Sequence, residues 1–472
     1  MLLATIEQQD IIYSENKHIY VSARAGTGKT TTLVEFVKIR KSNTFLYIVY
    51  NNAIRLEALN KFPERVDIHT IHSLAYLKFG YQYKDKLKNN LKVEDLFKEP
   101  YFQKKDLSDK KIQKEAFTII KMITAYCNSE IEKFEDISDL KELRIVAENY
   151  WKKMIDLNNK EVKITHDGYL KLYQLTNPKL NYDHIMVDEA QDSNEVMLKI
   201  IFEQTKSKKI FVGDPHQKIY GFRGALNIFQ NTKYLDKEKD NAFFSLTESF
   251  RFGKPIAYIA NCLLKNYKNE QHLIKGTEGR ESTVGIIDKS MCYTIITRTN
   301  AKLIDIAIEN ALNNKNIHIV GGFEFIKISI LDAFYLYKRK FNLIKSDYMK
   351  TFNSFNHLKI MAKTLKNPEQ SLQVYLVEKY NDSLEEYFEL IEKNLTGINN
   401  ADIILTTAHK SKGLEFVSVK IEEDFVNLYS ENGLLLDLIE PEEINLLYVA
   451  ITRATFDLEL NSELEKYIKE FC

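Results

Sequence analysis

The run Ala23-Arg24-Ala25-Gly26-Thr27-Gly28-Lys29-Thr30 limits what this chain can fold into more than any other feature. It follows a β-branched and aromatic stretch at residues 18–22 (HIYVS). It precedes Leu33, Val34, Phe36 and Val37, whose i, i+3, i+4 spacing predicts an amphipathic helix. A glycine-rich turn between a strand and a helix aims backbone N–H groups and a helix N-terminus at phosphate oxygens. Here Ala25, Gly26, Thr27 and Gly28 make the turn, Lys29 reaches the β- and γ-phosphates, and Thr30 offers a hydroxyl to Mg²⁺, with Thr31 beside it among the nucleotide contacts. Ala23 stands where the general pattern has its first glycine. The context calls for an α/β fold that binds a nucleoside triphosphate.

A second apolar run, residues 185–187, ends on Asp188-Glu189-Ala190-Gln191-Asp192. Adjacent acids at a strand end are often only a solvated turn, but beside a phosphate loop they suit a metal ligand, Asp188, and a catalytic base, Glu189. Further strands are expected at 45–50 and at 210–212, the latter ending on Gly213-Asp214. Active residues of open parallel sheets sit at such carboxyl ends. Residues 76–165 differ, being rich in Lys, Glu, Asn and aromatics with helical periodicity (Phe117, Ile120, Met122, Ile123, Tyr126). The α/β alternation returns with strands expected at 294–297, 317–320, 403–407 and 417–421, interrupted by a helical segment at 323–400. The expected organisation is a first motor domain at 1–75 and 166–245 interrupted by a helical insertion at 76–165. A second domain at 246–322 and 401–472 is interrupted by a reduced insertion at 323–400.

With 66 basic and 66 acidic residues among 472, the chain has zero formal charge, so any nucleic-acid partner must be held in local grooves rather than by a bulk field. No signal peptide opens the sequence and no apolar run approaches the ~20 residues that span a bilayer, which predicts a cytoplasmic protein without membrane contact. Cys127, Cys262, Cys292 and Cys472 stand far apart with no C-x-x-C pair, so neither a metal cluster nor a disulfide framework is expected.

Together, Gly26-Thr27-Gly28-Lys29-Thr30 and Asp188-Glu189-Ala190-Gln191-Asp192 resemble superfamily 1 helicases of the UvrD/Rep/PcrA group. Gln8 resembles that family's adenine-reading glutamine. Gly213-Asp214-Pro215-His216-Gln217 with Tyr220-Gly221-Phe222-Arg223-Gly224-Ala225 resembles its third motif, which implies that Gln217 senses the γ-phosphate and that Tyr220, Phe222 and Arg223 meet bases. Ser249-Phe250-Arg251 resembles the block whose aromatic stacks on adenine and whose arginine meets the γ-phosphate. The run from Thr407 through His409 to Glu415 and Phe416 resembles the fifth motif, with Glu415 for the ribose. The run from Leu447 to Ala454 resembles the family's closing motif, which implies a second arginine finger, Arg453. Asn51-Asn52-Ala53, the block around His72 and His166-Asp167-Gly168-Tyr169 look most like the F-box DNA helicase branch. No F-box-like segment is evident, so the motor is carried over and the ubiquitin-ligase role is not.

The resemblance implies two RecA-like P-loop domains with parallel sheets. It also implies ATP and Mg²⁺ as cofactors, single-stranded DNA and duplex junctions as partners, and 3′-to-5′ movement coupled to ATP hydrolysis. Tyr50, Tyr220 and Phe222 are the candidate stacking platforms, and His72, Arg223, Thr407 and His409 further strand contacts. Asn51, Ala53 and Asn445 depart from the family pattern at strand-contact positions. The alternative is a motor subunit of a nuclease, repair or anti-phage defence complex that senses or translocates DNA with a partner protein. A P-loop small-molecule kinase leaves Gln217, Arg251, His409 and Arg453 without a role.

Overall fold

The strands that flank the glycine loop assemble into a parallel sheet in the computed structural model, which describes residues 4–107, 109–221, 224–235, 240–365, 367–430, 432–436 and 438–472. The chain divides into two units, one of Met1–Asp106 with Lys111–Glu248, the other of Leu107–Lys110 with Ser249–Cys472. The first contains β1 (His18–Ala23), β2 (Phe45–Ile48), β3 (Val66–His69), β4 (Leu87–Lys88), β5 (Ile164–Thr165), β6 (His184–Val187), β7 (Lys208–Gly213) and β8 (Asn241–Leu246). Six of these form one sheet in the order β3-β2-β6-β7-β1-β8, and β4 pairs with β5 apart from it. Every pairing in the large sheet is parallel, so the loops after β1, β2, β6 and β7 leave from one edge.

β2 and β6 are buried along their whole length, as a parallel sheet covered on both faces requires. Helix α1 (Ile6–Ile12) and helix α2 (Lys29–Ile39) pack on each other, and α2 turns Leu33, Phe36 and Val37 onto Ile19, Val21, Phe45 and Met186. Each such side chain contributes about 1.5–3 kcal/mol by leaving water. α2 ends where the Arg40 guanidinium folds back, donating to Phe36 O at 3.2 Å and Ile12 O at 2.7 Å while lying 3.7 Å over the Phe36 ring. Strand β2 stops two residues before the expected end, because the Asn51 side chain already caps the helix Asn52–Leu59 through Ile54 N. Between β3 and β6 the chain is mainly helical, led by Lys110–Asn128, Lys141–Ile155 and His166–Leu175.

The second unit repeats the plan. Its sheet runs Thr283–Val284, Ala454–Glu459, Phe416–Ile421, Tyr293–Thr297, Ile403–Thr407, Ile317–Ile319, again all parallel. Four longer helices, Glu324–Tyr337, Phe355–Leu365, Pro368–Tyr380 and Leu384–Asn394, and the short helix Asp347–Lys350 follow its Ile317–Ile319 strand and share one apolar core with it. One expectation is corrected here: Cys262 and Cys472 form a disulfide, with Cα atoms 6.1 Å apart across 210 residues of sequence. Their spacing hid a proximity created when the helix Lys254–Lys268 packs on the helix Ser462–Phe471. Cys127 and Cys292 are free thiols. Among the described residues no helix is long and apolar enough to cross a membrane.

Candidate nucleotide site and strand contacts

The loop between β1 and α2 is shaped by Gly26 (φ 75°) and Gly28 (φ 76°), both in the left-handed region that a side chain disfavours. Gly28 is the N-cap of α2 and has no side chain to bond the first turn, so those amide groups stay directed at the loop. The loop is braced from within by the Thr27 hydroxyl, which donates to Arg24 O at 2.8 Å. Arg24 is itself buried, donating to Ser22 Oγ at 3.1 Å and lying 3.8 Å from Asp214.

Lys29, at the first position of α2, reaches β6 and meets Glu189, Nζ to Oε1 at 2.6 Å. Burial alone would push the Lys29 ammonium down, but Glu189, Asp188 and Asp214 outweigh it and hold it above the ordinary range. Glu189 adopts φ 48°, ψ 43°, a left-handed conformation that is rare for a residue with a side chain and that clusters at functional sites. Two bonds hold it there: its N–H donates to Asp188 Oδ1 at 2.9 Å, and Gln191 Nε2 donates to its Oε2 at 2.6 Å. Gln191 Oε1 also accepts from Asp214 N at 3.1 Å, tying the β6 and β7 loops together. Gly213 must be glycine for this, since a Cβ there would stand 2.1 Å from Gln191 Oε1.

Asp188, 6% exposed, has its second oxygen engaged by the Tyr47 hydroxyl of β2 at 2.5 Å. Burial raises its carboxyl against the opposing pull of Lys29. Asp214 is buried and accepts from Gln217 Nε2 at 2.8 Å, which anchors the side chain expected to sense the γ-phosphate. At the opposite end of the sequence Gln8 forms a capping box with Thr5, and the neighbouring Glu7 accepts from Thr247 N and Oγ1 at 2.7 and 2.6 Å, fixing α1 to the end of β8. Lys29, Thr30, Asp188, Glu189 and Gln217 are therefore gathered around one loop edge. Tyr47, Gln191 and Arg24 join them without having been expected.

Of the residues expected to contact a nucleic-acid strand, Tyr50 and Tyr220 in the first unit stack on each other, ring centroids 5.4 Å apart and 14° from parallel. His72 Nε2 lies 3.0 Å from Asp167 Oδ1, both partly exposed. Phe222 and Arg223 lie outside the described residues. In the second unit Thr407 caps the turn Ala408–Ser411, which carries His409, through Lys410 N at 3.4 Å. Arg251 and Glu415 bind each other, Nε to Oε1 at 2.8 Å, and Arg251 also donates to Thr452 O at 2.8 Å. Arg453 is 1% exposed and donates to Val449 O, Leu414 O and Thr452 Oγ1. Phe250, half-buried, presents its carbonyl to Arg280.

Two family models match the chain: the UvrD/REP helicase N-terminal domain over residues 4–240 and the UvrD-like helicase C-terminal domain over 378–463. The chain belongs to the UvrD/Rep helicase family. Its two six-stranded parallel sheets agree with the two RecA-like domains expected of that family. It is similar to F-box DNA helicase 1 of Gallus gallus, 32% identical over 98% of this chain and 49% of that protein. It is also similar to F-box DNA helicase protein 1 of Schizosaccharomyces pombe, 29% identical over 99% and 58%. The chain thus spans about half the length of the curated relatives it matches. A shorter stretch, 39% of the chain, is 30% identical to 14% of the RecBCD enzyme subunit RecB of Buchnera aphidicola subsp. Schizaphis graminum.

Proposed function

We propose that the first unit hydrolyses ATP and that the chain uses this to move 3′-to-5′ along single-stranded DNA and to open duplexes. One observation carries the reading: a phosphate loop after β1, Lys29 and the paired carboxylates Asp188 and Glu189 after β6 meet at one edge of the same parallel sheet, across the intervening β7. Membership in a family whose relatives are named DNA helicases supports it.

Lys29 binds the β- and γ-phosphates, exchanging its Glu189 partner for them. Glu189, thus released, takes the proton of the attacking water, and Gln191 keeps its carboxylate on the correct side of the β6 loop. Mg²⁺ fits the donor set, because the Thr30 hydroxyl and the Asp188 carboxylate, the latter held by Tyr47, are hard oxygen donors. When bound, the ion neutralises phosphate charge. Gln8 and Phe250 read adenine, Glu415 the ribose, and Arg251 and Arg453 stabilise the transferring phosphoryl group. The latter two first leave the partners they hold in this structure. Tyr50, Tyr220 and Phe222 offer stacking surfaces to bases, with His72, Arg223, Thr407 and His409 as polar contacts. The same reading puts the motor in the cytoplasm and takes 76–165 and 323–400 as insertions in its two domains.

The test is ATPase activity with and without DNA and RNA oligonucleotides, followed by unwinding of 3′- and 5′-tailed duplexes. An ATPase indifferent to any strand would overturn the motor, and preference for 5′ tails would overturn the polarity. The partial likeness to a RecBCD subunit favours a second reading, a motor that works within a nuclease complex. Co-purification with a nuclease, and unwinding only in its presence, would support that one.

A further inference from the structure

We propose that Tyr47 is a positioning residue of the magnesium site: its hydroxyl holds one oxygen of the Asp188 carboxylate, a protein group that would hold the ion, and fixes it in its binding orientation. The inference rests on the nucleotide reading above and names a residue that the phosphate-loop and acidic motifs do not contain.

The argument starts from β2. Tyr47 lies one residue before its end, opposite Met186 in the parallel register with β6, and the ladder continues as Asp188 N donates to Ile48 O at 2.9 Å. The side chain is fully buried, its ring 4.5 Å from Phe62. A phenol in such a place must find a polar partner. It finds one in Asp188: the hydroxyl donates to Asp188 Oδ2 at 2.5 Å. Asp188 Oδ1 is meanwhile held by the N–H of Glu189 at 2.9 Å. Both carboxylate oxygens are thus fixed, one by backbone and one by Tyr47.

The consequence follows from what each ligand demands. The last torsion of an aspartate is broad and nearly two-fold, so a single bond to Glu189 N leaves Oδ2 free to swing, including toward Lys29. Mg²⁺ tolerates little such freedom, since it requires near-octahedral oxygen geometry. Groups that orient metal ligands from outside typically contribute about 10–100-fold to metal affinity. Phenylalanine at this position would keep the packing on Phe62 and remove only the hydrogen bond to Asp188.

The experiment compares the full chain with Tyr47→Phe. Mn²⁺ binding in the presence of ADP is followed by electron paramagnetic resonance, ADP binding in EDTA by fluorescence, and ATPase as a function of Mg²⁺. The expected result is a 10–100-fold weaker Mn²⁺ affinity and a matching rise in the KM for Mg²⁺. The kcat should recover at saturating Mg²⁺, and ADP affinity in EDTA should stay within about twofold of the wild-type value. In a double-mutant cycle, Asp188→Asn should absorb the effect, because Tyr47 then has no carboxylate to orient. Unchanged Mn²⁺ affinity, or an equal loss of metal-free ADP binding, would overturn the proposal and return Tyr47 to core packing. If the wild-type chain bound neither ADP nor Mn²⁺·ADP, the nucleotide reading itself would fall, and this inference with it.

Discussion

Replacing Glu189 with glutamine keeps its shape, removes one charge, and separates the two tasks assigned to it. In this structure Lys29 Nζ and Glu189 Oε1 are 2.6 Å apart, at 15% and 16% exposure. At an effective dielectric of about 20 the direct attraction is about 6 kcal/mol. Desolvation of both ions offsets most of it, and glutamine still accepts one hydrogen bond, so a net of about 1–2 kcal/mol is left. ATP must displace Glu189 from Lys29 and meets that term as a competitor. Glu189→Gln should therefore bind ATP about 5–30-fold more tightly, while losing about 10²–10⁴ in turnover as the base disappears. Equilibrium binding of a fluorescent ATP analogue and single-turnover hydrolysis measure the two separately. Wild-type turnover would remove Glu189 from the base role. Weaker ATP binding would refute the competition between phosphate and carboxylate for Lys29.

Arg251→Ala and Arg453→Ala should each lower turnover by about 10³–10⁵, with the double variant no slower than the worse single one. Arg453→Ala should also lower the thermal midpoint, since Val449 O, Leu414 O and Thr452 Oγ1 lose their buried donor. His184 predicts an acid sensitivity: burial, with Arg40 and Lys208 nearby, depresses its pKa to about 4, and among the described residues neither ring nitrogen has a hydrogen-bond partner. Its neutral form favours the folded state, so stability is full above the unfolded pKa near 6.5 and declines as pH falls toward 4, by up to about 3 kcal/mol. Urea unfolding at pH 7 and pH 5 should show this loss, and His184→Phe should abolish it. Tyr220→Ala should raise the DNA concentration for half-maximal ATPase stimulation, as about 1–3 kcal/mol of stacking is lost. Its salt slope should match that of the parent, because no phosphate contact is removed.

The fold was legible where the sequence changes period abruptly. The runs at 18–22, 185–187, 210–212 and 403–407 are short and rich in β-branched or aromatic residues, and each became a strand of a parallel sheet. β3, with only two apolar residues in Val-Asp-Ile-His, and β8, an edge strand with Phe243 exposed, carry no comparable run. They are strands because β2 and β1 present ladders to pair with, which is a tertiary cause invisible in a local window. The disulfide escaped for the same reason, as Cys262 and Cys472 meet only through packing of two helices.

At the site, motif spacing identified residues that the structure gathers around the phosphate loop, and it missed the side chains that hold them. Lys29, Asp188 and Glu189 stand in runs whose chemistry is readable without coordinates, because phosphate, metal and water each call for one residue type. Tyr47 and Gln191 sit in contexts that read as apolar strand and polar turn. The one available signal was a phenol in the run Phe-Leu-Tyr-Ile, whose hydroxyl had to end somewhere polar once the strand was buried on both faces. That requirement can be applied to any such strand. In a parallel sheet with acids at one edge, a buried tyrosine or glutamine near the carboxyl end has few polar groups in reach other than those acids. Here both residues end on them, Tyr47 on Asp188 and Gln191 on Glu189. On the reading proposed above, such residues steer the two carboxylates without entering the reaction, so their loss should first appear in metal and nucleotide dependence rather than in the folding of the sheet.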